Sequence, residues 1–66
     1  MVKNKLLQIR LGLGYKFQKD FAEFLEINHK DYNRIENNNK QVYLETAINI
    51  GQKLNMKIED IWYLEK

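Results

Sequence analysis

No cysteine occurs anywhere in this chain of 66 residues, so neither a disulfide nor a thiolate-bound metal can staple it. A chain this short buries only about 60% of the surface that its unfolded form exposes, and its margin of stability is thin. Tight packing of short helices, helped by a partner chain, must supply the rest. The apolar material is there: 44% of the residues are hydrophobic, which suits a folded domain rather than a disordered tail. Length allows one domain, residues 1–66. The opening stretch MVKNKLLQIR lacks the unbroken apolar run of a signal peptide. No window approaches the roughly 18 consecutive apolar residues of a membrane span. The expectation is a cytoplasmic protein with no membrane partner.

Proline is also absent, so helix boundaries must be read from Gly, Asn and apolar spacing. Five helical segments follow, and the predicted class is all-α. Lys3 to Leu11 places Val2, Leu6 and Ile9 on one stripe, ended by the turn Gly12-Leu13-Gly14. Gln18 to Leu25 carries Phe21, Ala22 and Leu25, with Phe17 placed to pack back as a staple. Asn28 is a good N-cap for His29 to Glu36, whose large apolar residues are only Tyr32 and Ile35. Asn37-Asn38-Asn39 closes that helix, because Asn tolerates the left-handed conformation. Leu44 to Leu54 sets Leu44, Ala47, Ile48, Gly51 and Leu54 at helical spacing, with Asn55 as its stop. Gly51 is either a point of close packing or a weakness of a helix interior. Ile58 to Tyr63 makes one or two more turns, although Trp62-Tyr63-Leu64 also reads as extended.

Charge adds direction. Residues 1–40 hold a net of +3 and residues 41–66 a net of −1. The positive half is the half with the short polar helix, as capture of phosphates requires, although a surface merely solvated gives the same count. Catalysis finds little support: there is one His and neither Cys nor Ser. No nucleophile-base set or metal cluster can be assembled from what remains, and no cofactor or small-molecule effector is implied. Glu59-Asp60 sits at a helix start, where acidic residues suit the dipole. The chain reads as no enzyme.

Gln18 to Glu36 is the segment with a functional shape. Two helices joined by the three residues Glu26-Ile27-Asn28, the second short and polar-faced, have the layout of a helix-turn-helix. Residues 6 to 62 resemble the DNA-binding domain of the phage repressor and Cro family, also called the XRE family. The resemblance rests on Leu6 and Arg10; on Gln18, Phe21 and Ala22; on Ile27, Asn28 and Ile35-Glu36. It continues through Leu44, Ile50 and Leu54 to Met56-Lys57-Ile58-Glu59-Asp60-Ile61-Trp62. The chain departs from the family pattern where it has Glu26 and Asn38 in place of Gly and Val42 in place of Pro. Glu26 costs about 1–2 kcal/mol if it is left-handed. The stretch Gly12 to Lys16 is also slightly longer.

The resemblance implies a compact five-helix repressor-like domain whose third helix enters the major groove. His29, Lys30, Asn33 and Arg34 match the base readers. Their chemistry suits that role, since Lys and Arg donate to guanine and Asn pairs with adenine. Gln18, Asn37, Asn39 and Lys40 match phosphate contacts, and Tyr15, Lys16 and Tyr43 are further candidates. Arg10 and Glu36 match a structural salt bridge between the first and third helices. Asp31, in the first turn of the third helix, suits the dipole. Phe21, Phe24, Tyr32 and Trp62 fall on packing positions rather than in a basic groove for single strands.

One short helix spans only about 4–5 base pairs, so two copies about 34 Å apart on a palindrome are expected. The implied protein is a transcriptional regulator, a repressor, acting as a homodimer on a double-stranded operator. The apolar end, residues 58–66, supplies the expected interface through Ile61, Trp62, Tyr63 and Leu64. The alternative is an antitoxin-like module that binds another protein. That reading calls for an extra apolar or disordered arm, and the sequence has none.

Overall fold

Three of the predicted helices lie where the spacing puts them: α2 at Gln18–Leu25, α3 at His29–Glu36 and α4 at Leu44–Leu54. The computed structural model describes all 66 residues. The N-terminal end differs from expectation, and at the C-terminal end the extended reading of Trp62-Tyr63-Leu64 holds. Val2–Asn4 is a strand, β1, and the first helix, α1, runs Leu6–Gly12. The last helix, α5, stops at Ile61, and Trp62–Leu64 forms β2. The expected five helices are all present, and a small two-stranded sheet adds to what all-α describes.

The two strands pair antiparallel, Val2 opposite Leu64, Lys3 opposite Tyr63 and Asn4 opposite Trp62. Local pattern misses this because a three-residue strand has no alternation to display, and its partner lies at the other end of the chain. The pairing is framed by Lys5 N–H donating to Ile61 C=O at 2.8 Å and Glu65 N–H donating to Met1 C=O at 2.9 Å. Asn4 sets the start of α1: its Oδ1 accepts the Leu6 N–H at 3.0 Å. Val2 thus sits in the sheet and not on the stripe of a helix.

The core draws on every helix: Leu6 of α1; Phe21, Ala22 and Leu25 of α2; Tyr32 and Ile35 of α3; Ile50 of α4; Ile61 of α5. Fully burying each large apolar side chain contributes about 1.5–3 kcal/mol, which is how so short a chain closes without a staple. The radius of gyration, 10.8 Å, matches the roughly 11 Å of a folded chain this long. Tyr15, half-buried, packs its ring 5.1 Å from that of Phe21 and 5.6 Å from that of Phe24. Tyr32 meets Phe21 edge-on at 5.5 Å.

Helix α4 buries Ala47, Ile50 and Gly51, whereas Leu44 and Ile48 of the predicted stripe remain exposed. Gly51 is the close-packing point: a Cβ there would stand 2.8 Å from the backbone oxygen of Met56. Asn55 ends α4 left-handed at φ 56°, as its side chain allows. Phe17 does not staple α2; its ring is exposed, with Lys16 Nζ 5.6 Å from the centroid. No helix is long and apolar enough to cross a membrane.

Candidate nucleic-acid interface

The turn between α2 and α3 is the residue trio 26–28. Glu26 adopts the left-handed conformation, φ 60° and ψ 40°, so the conditional penalty of about 1–2 kcal/mol applies. Its carboxylate pairs with Lys53 Nζ at 2.8 Å, and the hydrogen bond from Lys53, with its charge, lowers the Glu26 pKa. Asn28 then caps α3, its side chain accepting from the backbone N–H of Lys30 at 2.9 Å and of Asp31 at 3.4 Å.

Helix α3 divides by face. Tyr32, Ile35 and Glu36 are buried, while His29, Lys30, Asn33 and Arg34 are all exposed. Two recesses flank the exposed face. One is lined by Arg10, Lys16, Phe17, Gln18, Lys19, Asp20 and His29. The other includes Asn28, Asp31, Lys40 and Tyr43. The expected phosphate contacts thus fall on both sides of the expected base readers: Lys16 and Gln18 on one, Lys40 and Tyr43 on the other. Asn37 and Asn39 are exposed on the turn after α3.

Beneath this surface lies the Arg10–Glu36 pair. Arg10 Nε donates to Glu36 Oε1 at 2.8 Å, and the two side chains are 8% and 3% exposed. Arg10 also donates to the backbone oxygens of Tyr15 at 3.0 Å and Lys16 at 2.7 Å. Tyr32 Oη donates to Glu36 Oε1 at 2.8 Å, and Gln18 Nε2 donates to Glu36 Oε2. Burial pushes the Glu36 pKa up, but hydrogen bonds from Arg10, Gln18 and Tyr32 outweigh it and hold the carboxyl below its ordinary value. The Glu36 hydrogen bond raises the Arg10 pKa, and burial raises that of Tyr32. Every buried side-chain polar atom has a partner, as a buried charge demands.

This network reaches the surface. Gln18 Oε1 accepts from Asn33 Nδ2 at 2.7 Å. Gln18, expected only as a phosphate contact, therefore links the buried carboxylate to Asn33. Each primary amide carries two N–H donors, so Asn33 keeps one N–H and its Oδ1, and Gln18 keeps one N–H, for an outside partner.

One expected site is placed differently, and two others have a further role within the chain. The ring of Tyr15 belongs to the aromatic cluster around Phe21, which gives it a packing role. Asp31 lies in the first turn of α3, where it suits the dipole, and its Oδ1 also accepts from Lys40 Nζ at 3.1 Å. Ile61 is 0% exposed and fills the core, so it has no surface to offer a second chain. Tyr63 and Leu64 are exposed and Trp62 is half-buried.

Lys19 was missed by the sequence reasoning, yet it lines the first recess. Its signal was position: a cation in the first turn of α2 opposes the helix dipole, and an external anion removes that conflict. Compared with known proteins, the chain matches no family model, and no curated protein is similar enough to count as a relative.

Proposed function

We propose that this chain is a helix-turn-helix DNA-binding domain of the phage repressor and Cro type, a transcriptional repressor that reads a palindromic operator with α3. The observation that carries the reading is the outer face of α3. Lys30 lies in the first turn, against the dipole, and stands at i, i+4 to Arg34, a like-charge pair. Both placements are locally unfavourable, each by a few tenths of a kcal/mol. Local rules are broken where a function compensates, and a polyanion along this face is the compensation.

In the bound state Lys30 and Arg34 donate to guanine O6 and N7, and Asn33 pairs with adenine through the amide atoms left free by Gln18. His29 stands at the N-terminal end of the face. Lys16, Gln18 and Lys19 meet the backbone on one side, and Lys40, Tyr43, Asn37 and Asn39 meet it on the other. The Arg10–Glu36 pair keeps α1 and α3 in register beneath them.

A second copy docks through the C-terminal strand. The outer edge of β1 is covered, since Asn4 N–H donates to Asn38 Oδ1 at 3.1 Å and Val2 C=O accepts from Gln41 Nε2 at 3.3 Å. That leaves β2 as the open edge, beside exposed Tyr63 and Leu64. The dimer surface is therefore Trp62, Tyr63 and Leu64, without Ile61.

Titration of duplex DNA with wild type and Arg34→Ala at two salt concentrations tests the proposal. The wild type should show a steep salt slope and prefer one palindrome over random duplex. Arg34→Ala should lose about 1–3 kcal/mol on that palindrome and little on random DNA. Equal affinity of the wild type for every sequence refutes the repressor reading.

A further inference from the structure

We infer that Asn4, whose side chain hydrogen-bonds to none of the proposed DNA-contact residues, positions the turn that carries them on one side of α3; the inference rests on the DNA-binding reading above. Asn4 lies in β1, yet three of its hydrogen bonds go to the end of α3. Nδ2 donates to the Ile35 backbone oxygen at 2.7 Å and to Asn38 Oδ1 at 3.2 Å. Its backbone N–H donates to the same Asn38 Oδ1 at 3.1 Å. The fourth, from Leu6 N–H to Asn4 Oδ1, ties the same side chain to the start of α1.

Asn38 is the residue that turns the chain. It is left-handed at φ 62°, and the turn closes through Asn38 N–H on Ile35 C=O at 3.0 Å and Asn39 N–H on Arg34 C=O at 2.8 Å. Glycine meets that φ with less strain, but glycine has no oxygen for Asn4 to hold. Asn37, Asn39 and Lys40 surround Asn38 in sequence. Two backbone hydrogen bonds close the turn and Asp31 holds Lys40, but one acceptor atom ties the turn to β1, and Asn4 grips that atom twice. The grip also connects the contact surface to the sheet, because Asn4 pairs with Trp62 of β2. Asn4 is thus a positioning residue: it places backbone contacts without making one.

The test separates geometry from folding. Asn38→Gly keeps the left-handed turn and removes the acceptor, so the chain should remain helical and melt cooperatively. Wild type, Asn38→Gly, Lys40→Ala and the double variant are titrated with a random-sequence duplex of about 20 base pairs over a series of salt concentrations. Asn38→Gly should weaken binding about tenfold at low salt, the worth of one charge-assisted hydrogen bond. Its log–log salt slope should be shallower by about 0.9, the loss of one phosphate contact. Lys40→Ala should do the same, and adding Asn38→Gly to it should change little more. Amide exchange at Asn37, Asn39 and Lys40 of the free protein should quicken in Asn38→Gly and, through a second route, in Asn4→Ala. A wild type that binds beside an Asn38→Gly chain with unchanged slope and exchange overturns this inference alone. A wild type that binds no duplex overturns the DNA-binding reading, and this inference with it.

Discussion

Replacing Glu36 by Ala leaves a buried charge without its partner. The carboxylate accepts from Arg10, Tyr32 and Gln18, and its side chain is 3% exposed. Its removal strands Arg10, whose remaining acceptors are two backbone oxygens that carry no full charge. Breaking one partner of a buried pair costs about 3–5 kcal/mol. A domain of this length has only about 3–10 kcal/mol in all, at 0.05–0.15 kcal/mol per residue. Glu36→Ala should therefore lose a third or more of the stability, and at the lower end of the range it should be unfolded at 25 °C. The double variant Arg10→Met/Glu36→Leu removes both charges and fills the space with apolar atoms, so it should cost less than Glu36→Ala alone. Urea unfolding followed by helical circular dichroism measures both. A loss below about 1 kcal/mol for Glu36→Ala would show that the buried charge is not what the pair controls. A double variant as costly as the two single changes added together would show that Arg10 and Glu36 act independently, and the reasoning fails.

Other consequences are open to measurement. Glu26→Gly relieves a left-handed residue at φ 60° and forfeits only an exposed ion pair, so it should raise stability by about 0.5–1 kcal/mol in the same assay. Gly51→Ala, which favours a helix in isolation, should instead destabilise by about 1–3 kcal/mol, because the new Cβ meets backbone and not a flexible side chain. Since the folded-state pKa of Glu36 lies below its ordinary 4.5, its contribution to stability is full above that pH. Stability should fall as acid is added from about pH 4.5 down through the folded-state value, and Glu36→Gln should flatten that part of the profile. Leu64→Asp should shift the proposed dimer to monomer in sedimentation and remove the concentration dependence of its melting temperature, because Leu64, 76% exposed, packs little within its own chain.

The sequence made the middle of the fold legible because its signals there are local. Asn28 before α3, the apolar spacing of α2 and the Asn-rich stops all act within a turn of the residues they govern. The N-terminal end was misread, and Trp62-Tyr63-Leu64 stayed between helix and extended, for one reason: β1 and β2 exist only through each other, across the whole length of the chain. Ile61 was misassigned by the same error, since an apolar residue at the terminus looks like spare surface until the strand after it folds back. The exposed face of α3 was visible as the polar complement of Tyr32 and Ile35. The Arg10–Glu36 pair was expected from resemblance and is present at 2.8 Å. Its extension through Gln18 to Asn33, and the grip of Asn4 on Asn38, were not legible, because amide side chains carry no pattern that names their partners.

Whether α3 reads duplex DNA in sequence is decided by selecting bound duplexes from a random pool. The wild type should enrich two half-sites related by a two-fold axis, their centres one helical turn or about 34 Å apart, and Arg34→Ala should lose the guanine preference. A pool that emerges unenriched after repeated rounds, or one that Arg34→Ala enriches identically, contradicts a reading role for α3.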